Sequence, residues 1–246
     1  MDFYNSDQDR LQWEKFHSPQ FVKNQLQVKN TMQADIIKAI DELAEVSDSN
    51  LQRIKLLEEA IDKSSSEDNI RFYKEGIAKY ENLTVLAKMV SEIYLMLLDV
   101  YTYGTYAMLV KDEWDWRAFA RHVYTILYEH SNTVNRQLNE IVKILKSNID
   151  EDYDLSAVVK AKKDFSSFIS EKSGFAKQIR IKVDAHFDGV FEERLNLIQN
   201  LSYSSILDLY HAYNSKMHAF LLELKPVLVK LRLSADVRCH SRIFLK

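Results

Sequence analysis

The chain has 246 residues, of which 46% are hydrophobic and 28% charged, and its formal net charge is −3. This is the composition of a globular protein and it excludes a global positive field that would attract nucleic acid, while the single Cys239 excludes an internal disulfide bond and a zinc site built from cysteines. Because sheets and their turns use glycine and proline, the scarcity of both, at four and two residues, predicts an all-α fold, a multi-helix bundle with long antiparallel helices.

The N-terminal part, residues 1–80, is predicted to be a helical extension, and its first 18 residues are predicted to be a loosely held lead-in. Ser18 is a suitable N-cap and Pro19 a suitable first helical residue. Polar residues at 47–50 predict a break between two helices, and the Ser-x-x-Glu pattern at 64–67 predicts a capping box. The first residues show neither the basic region nor the apolar run of a signal peptide, so a cytoplasmic protein is expected.

The central part, residues 81–233, is predicted to be the helical core. Its most apolar stretch, 83–110, is predicted to form a helix that is buried nearly all round and that ends or kinks at Gly104. Threonines and four tyrosines interrupt this stretch and no basic flank anchors an orientation in a membrane, so we expect a core helix and no membrane span. Its apolar positions step by three and four residues: Leu83, Leu86, Val90, Ile93, Leu97 and Val100.

The rest of the core is punctuated by polar and flexible residues. The acidic segment 112–115 suits a helix start, and further breaks are predicted at 132–133 and 173–174. Pro226 is predicted to end or bend the last helix, and the basic tail, 234–246, is predicted to be irregular. The last helix carries a strong apolar stripe: Ile206, Tyr210, Tyr213, Met217, Phe220 and Leu224.

One segment places a permanent cation near a titratable base. Arg180 stays protonated and can hold a phosphate, and His186 can act as a general acid or base near neutral pH. On a regular α-helix six positions rotate by roughly 600° and rise roughly 9 Å, so the two side chains converge only if the helix bends between them or a second subunit contributes its copy. The alternative is an apolar stripe, Ile179, Val183 and Phe187, with Arg180 in solvent and His186 as a packing residue.

Other cations surround this pair in the sequence. Residues 155–182 carry seven lysines and arginines against two acidic residues, and within them Lys177 and Lys182 are candidate substrate-binding residues, although such runs are commonly just solvated faces. Earlier in the chain, Arg117 and His122 form an Arg–x4–His pair, with Arg121 between them, and this pair also meets the four-to-six-residue spacing of the motif. The neighbouring apolar residues predict amphipathic packing with Arg117 and Arg121 on the solvent side, where both would add positive charge near the site.

The residues Ile179-Arg180 followed by Asp184-Ala185-His186-Phe187-Asp188 resemble the signature of the HEPN superfamily, and 185–188 is similar to its abortive-infection-type branch. The resemblance implies an all-helical homodimer in a defence or toxin setting. It further implies a metal-independent ribonuclease without a cofactor, in which Arg180 and His186 of both subunits meet at the dimer interface. Active members usually carry a polar residue after the arginine, where this chain has Ile181, so weak cleavage or RNA binding alone is expected.

The alternative function is a non-catalytic helical interaction protein whose N-terminal helices bind a protein partner. A di-iron bundle is not expected, because Glu14 and His17 form the only Glu-x-x-His pair and such a site needs two. No metal ligand is therefore predicted.

Overall fold

The computed structural model describes residues 7–148, 154–185 and 191–243. Within these ranges there is no strand, so the prediction of an all-α, multi-helix bundle is confirmed. A π-helical turn, Arg180–Ala185, follows the fifth helix directly. The α-helices are α1 (Asp7–Phe16), α2 (Pro19–Asp62), α3 (Glu67–Leu109), α4 (Glu113–Asn148), α5 (Ser156–Ile179), α6 (Phe191–Gln199) and α7 (Tyr203–Ile243).

The chain divides into two compact units, each assembled from separate chain segments. The sequence predicts consecutive domains instead, 1–80, 81–233 and 234–246, and those boundaries stay a prediction. Unit 1 comprises Met1–Ile36, Leu95–Arg136 and Lys163–His218, and unit 2 comprises Ile37–Tyr94, Gln137–Lys162 and Ala219–Lys246.

Within unit 1, α3 and α4 pack side by side in opposite directions. The rings of Tyr103 and His122 lie 4.3 Å apart between centroids, and those of Tyr106 and Phe119 lie 5.9 Å apart. Because residue numbers rise along α3 while those of the contacting residues fall along α4, the two helices are antiparallel. The short connection between them, at 110–112, requires this arrangement.

Two helix starts follow the sequence prediction. Ser18 Oγ accepts a hydrogen bond from the backbone nitrogen of Phe21 at 3.4 Å, and Pro19 is the first residue of α2. The carboxylate of Asp112 accepts a hydrogen bond from the backbone nitrogen of Trp114 at 2.9 Å. Both side chains satisfy amide groups that have no partner within the first helical turn.

The start of α3 differs from the predicted capping box at 64–67. The N-cap is Ser66, whose Oγ accepts a hydrogen bond from the backbone nitrogen of Asn69 at 3.4 Å. Ser64 Oγ accepts from the backbone nitrogen of Ser66 at 3.3 Å, so Ser64 stabilises the preceding turn. The capping-box prediction is therefore wrong by two residues, because three serines in a row offer the same local chemistry.

Three irregularities predicted before residue 134 are absent from the described residues. The lead-in contains α1, and neither 47–50 nor 132–133 interrupts its helix. Asn50 is only 1% exposed and Val134 is fully buried, so each of these segments packs one helix face into the interior. Tertiary packing outweighs the modest helix propensity of polar residues, and the predicted breaks are wrong for that reason.

Glycine also fails to interrupt the helices. α3 continues through Gly104, where a Cβ would collide with the ring of Tyr210, a side chain only 6% exposed. Gly104 therefore permits a close helix approach within unit 1 and does not end α3, while a kink at this residue stays a prediction. α5 likewise continues through 173–174, so the break predicted there is wrong and the change in helix type falls at Arg180.

The last helix is longer than predicted. α7 continues past Pro226 to Ile243, so the predicted helix end and the irregular tail at 234–246 are both wrong over that length. Pro226 has no N–H group and cannot donate a hydrogen bond to the carbonyl oxygen of Leu222. Leu222 is 68% exposed, so this face of the helix is open to water, which can donate to that carbonyl instead.

The two apolar stripes read from periodicity are confirmed. All six stripe positions of α3 and all six of α7 are less than 9% exposed. The prediction that α3 is buried nearly all round is wrong, since Leu95 is 50% and Val85 40% exposed. In the described ranges no helix, α3 included, combines the length and apolar character that a membrane crossing requires.

Candidate functional site

Arg180 lies at the point where α5 changes to a π-helical turn. Ile179 is fully buried and Val183 is 4% exposed, so two positions of the predicted apolar stripe pack into the interior of unit 1. Single π turns are frequent at functional sites because they shift the register of the side chains that follow. The third stripe position, Phe187, and the proposed acid–base residue His186 lie outside the described residues.

The guanidinium of Arg180 has a carboxylate partner on α4. Its Nε donates to Oε1 of Glu129, and the Arg180 side chain is 33% exposed. The contact uses one edge of the guanidinium, whose planar fork carries five donors in all. Glu129 therefore gives Arg180 a defined orientation, which Ile181 cannot provide.

Two lysines near Arg180 differ in their surroundings. Lys182 donates to the carboxylate of Glu193 on α6, whereas Lys177 is exposed on α5. Ile181, between Arg180 and Lys182, is 39% exposed. The segment thus presents cations that already carry acidic neighbours, which lowers its net positive potential.

A histidine that the sequence reasoning did not single out lies beside Glu129. His130 Nε2 is 3.7 Å from the carboxylate of Asp99 on α3, and its side chain is 18% exposed. Burial lowers the pKa of His130, while Asp99 and Glu129 act in the opposite direction. The net effect is a lowered pKa, which favours the neutral imidazole. Nothing in the local sequence marks it, because Asp99 lies 31 positions away.

The Arg117–His122 segment serves packing. Arg117 is 4% exposed, donates to the Ile198 carbonyl at 3.0 Å and to Glu113 at 2.8 Å, and so ties α4 to the end of α6. The prediction that Arg117 faces solvent is wrong, because a carbonyl 81 residues away compensates its burial. Arg121 is half-buried, and His122 packs on the ring of Tyr103. A role of Arg117, Arg121 and His122 in substrate binding stays a prediction.

His17 is also engaged by backbone. Its Nδ1 lies 2.7 Å from the carbonyl oxygen of Trp13 and its Nε2 lies 2.8 Å from that of Val110. Carbonyl oxygens accept hydrogen bonds, so both ring nitrogens are directed at acceptors and the residue fastens α1 to the end of α3. Within the described ranges, no group of three or more His, Cys, Asp or Glu side chains could hold a metal ion.

Comparisons with protein-family models, with curated proteins and with solved structures found no match for this chain.

Proposed function

We propose that the chain is a HEPN-like, RNA-directed helical protein whose Arg180–His186 segment acts on the RNA phosphate without a metal. The observation that supports this most is the anchored guanidinium at the start of the π-helical turn. An arginine held through Nε by Glu129 can direct its remaining donors at a phosphate.

The reaction that this segment suits is attack of the 2′-hydroxyl group on the adjacent phosphate. His186 would take or give the proton, and Arg180 would stabilise the charge that develops on the phosphate oxygens. Lys177 would add an electrostatic contact to the RNA backbone. As an inactive relative, the protein would keep this RNA contact without cleavage.

The test uses single-stranded RNA and DNA of identical sequence with chelator present. Wild type should cleave RNA and leave DNA intact, and His186→Ala should lose roughly 10²–10⁴ in rate. Arg180→Lys should also lose RNA cleavage, although it keeps the positive charge, because an ammonium group cannot reproduce the guanidinium fork. His211→Ala and Arg136→Ala, which remove an exposed histidine and an exposed arginine of unit 1, are the matched controls.

Each remaining outcome has a defined meaning. Equal cleavage by wild type and His186→Ala would exclude this pair as the active site. Binding without cleavage, weakened by Arg180→Ala, would identify an inactive RNA-binding relative. Absence of both would favour the interaction-protein alternative.

The resemblance also leads us to propose a homodimer, since a composite site needs two copies of the segment. Sedimentation velocity at micromolar concentration measures this directly. A monomer there would count against both the dimer and the composite site.

The alternative, a non-catalytic interaction protein, has its own support in α2. Ile37 and Leu51, two heptads apart on that helix, are 50% and 45% exposed, and Leu56 is 58% exposed. Apolar side chains exposed in such a row are suited to a partner helix. Ile37→Glu with Leu51→Glu should abolish binding of a protein partner at this surface, and should leave RNA cleavage unchanged.

A further inference from the structure

Unit 2 contains an apolar groove between three helices. α2, α3 and α7 enclose about 220 Å³ there. An engineered apolar cavity of about 150 Å³ stays dry and binds benzene, so this volume is sufficient for a small hydrocarbon group. The α7 lining runs from Leu221 to Arg232, which corresponds to about 16 Å along the helix axis. The space is therefore elongated.

The groove has a closed floor and an accessible edge. Leu83, Val90 and Leu224 on the floor are at most 4% exposed, whereas Val229 at the edge is 52% exposed. Solvent reaches the apolar side chains along the edge, where Leu228 is half-buried beside the exposed Val229. Leaving this surface uncovered is unfavourable, because each exposed methylene group costs about 0.8 kcal/mol relative to its burial. A ligand with a hydrocarbon portion would remove this surface from water.

The charged residues at the edge favour an anion. Lys225 and Arg232 both line the groove from α7, and their separation of seven residues places them on one face about 10 Å apart along the axis. Glu42 lines the opposite wall on α2, but its carboxylate lies 3.8 Å from Nζ of Lys38 on the same helix. That pairing offsets the negative charge of Glu42 and leaves the edge positive.

We propose that this groove binds a free single-chain carboxylate of medium length, with its alkyl chain on the floor and its carboxylate between Lys225 and Arg232. The hydroxyl group of Tyr94, which also lines the groove, is available as a neutral donor. The site lies within unit 2 and is independent of the RNA-directed function proposed for the Arg180 segment.

The first experiment compares ligand charge and length by isothermal titration calorimetry, with every ligand below its micelle concentration. Decanoate should bind with one-to-one stoichiometry, and decylammonium should bind at least tenfold more weakly. Octanoate should bind about fifteenfold more weakly than decanoate, since it lacks two methylene groups and each buried methylene group contributes about fourfold in affinity. Equal binding of the anion and the cation, or no decanoate binding at millimolar concentration, would overturn the proposal.

The second experiment locates the site with matched variants. Lys225→Ser with Arg232→Ser should weaken decanoate binding about tenfold or more, because a charge-assisted contact is lost. Lys55→Ser with Lys88→Ser removes the same charge from exposed positions of unit 2 outside the groove, and this pair should bind as wild type does. If both pairs weaken binding equally, the effect is one of net charge and the proposal fails.

A third variant tests the volume. Ala39→Leu extends a half-buried side chain of α2 into the groove and should abolish binding while circular dichroism stays unchanged. Unaltered decanoate binding by this folded variant would place the ligand elsewhere. If Val229→Lys instead converts a dimer to a monomer in light scattering, the groove is covered by a second copy and the carboxylate site is wrong.

Discussion

Unit 1 and unit 2 differ in what fills their interiors. In unit 1 the rings of Trp13, Trp116 and Tyr203 pack against one another with centroids 5.0 to 6.3 Å apart. In unit 2 the side chains that line the groove are mainly aliphatic, and they leave about 220 Å³ between them.

The two units also contain arginine side chains that differ in exposure. The guanidinium of Arg117 in unit 1 is 4% exposed, whereas that of Arg53 in unit 2 is 30% exposed and reaches Asp236 and Tyr80. Around Arg117, unit 1 therefore has little room for altered volume or lost partners, although Arg180 of the same unit is 33% exposed. Unit 2 can accommodate such changes around Arg53 and in the groove.

The largest effect is expected from a cavity in unit 1. Leu97 is fully buried, so Leu97→Ala should lower the free energy of unfolding by about 2–5 kcal/mol through lost burial and incomplete collapse. Leu95→Ala, two positions away on the same helix and 50% exposed, is the matched control and should cost much less. Urea denaturation measures both, and equal costs would show that the interior of unit 1 is not close-packed at this point.

The packing at Leu97 was predictable from the sequence because periodicity alone identifies the buried face of a long helix. The same holds for the stripe of α7 and for the Ser18–Pro19 helix start. Continuity through 47–50 was not predictable, since it depends on whether Asn50 is buried by residues distant in the chain. Local propensity carries no such information.

The candidate site shows the same limit more strongly. The spacing of Arg180 and His186 marked the segment, but Glu129, which orients Arg180, lies 51 residues earlier. The partner of Arg117 is likewise a distant backbone carbonyl, which no side-chain motif reveals. Charge partners across helices follow from tertiary packing, so sequence spacing predicted candidates without their surroundings.

A second test adds one carbon at two glycines of unit 1. Gly104→Ala should destabilise the protein by about 1–3 kcal/mol, because the new methyl group meets the buried ring of Tyr210. At Gly174 a Cβ would have no heavy atom within 4 Å, so Gly174→Ala should stabilise by about 0.5–1 kcal/mol through helix propensity. Thermal unfolding distinguishes the opposite signs. A stabilising Gly104→Ala would mean that the helices do not approach closely there.

The third test compares the two guanidinium groups. Arg117→Met removes the hydrogen-bond donor of the Ile198 carbonyl and of Glu113. The free energy of unfolding should therefore fall by about 1–3 kcal/mol. Arg53→Met should cost less, because Tyr80 still donates to Asp236 at 3.1 Å and water reaches the remaining groups. Chemical denaturation of both variants checks the order. A larger loss for Arg53→Met would reverse the proposed contrast between the units.

A smaller effect is expected from pH. Burial lowers the pKa of His130 and of His218, both in unit 1, so the folded state binds protons there less readily than the unfolded chain. This stabilisation is complete above the unfolded value of about 6.5 and is lost as pH falls from there through the lowered folded pKa values. The joint variant His130→Gln with His218→Gln should therefore lose less stability than wild type between neutral pH and pH 5.

The comparison variant for this pH effect is His211→Gln, which alters an exposed histidine of the same unit and should follow wild type. Parallel curves for wild type and the joint variant would show that neither buried ring contributes to the pH dependence. The difference between the curves is the informative quantity, because carboxylates titrate in the same range.

The smallest effect is expected where unit 2 has space. Ala39→Leu adds three carbons toward the groove, and leucine has a helix propensity close to that of alanine, so the free energy of unfolding should change by less than about 1 kcal/mol, in the stabilising direction. Ala120 in unit 1 is fully buried, and Ala120→Leu should destabilise by about 1–3 kcal/mol because the same three carbons must displace neighbours. Denaturation curves of the two variants compare one chemical change in two interiors. Similar losses at both positions would mean that the groove closes in solution, and that outcome would remove the space which a bound carboxylate needs.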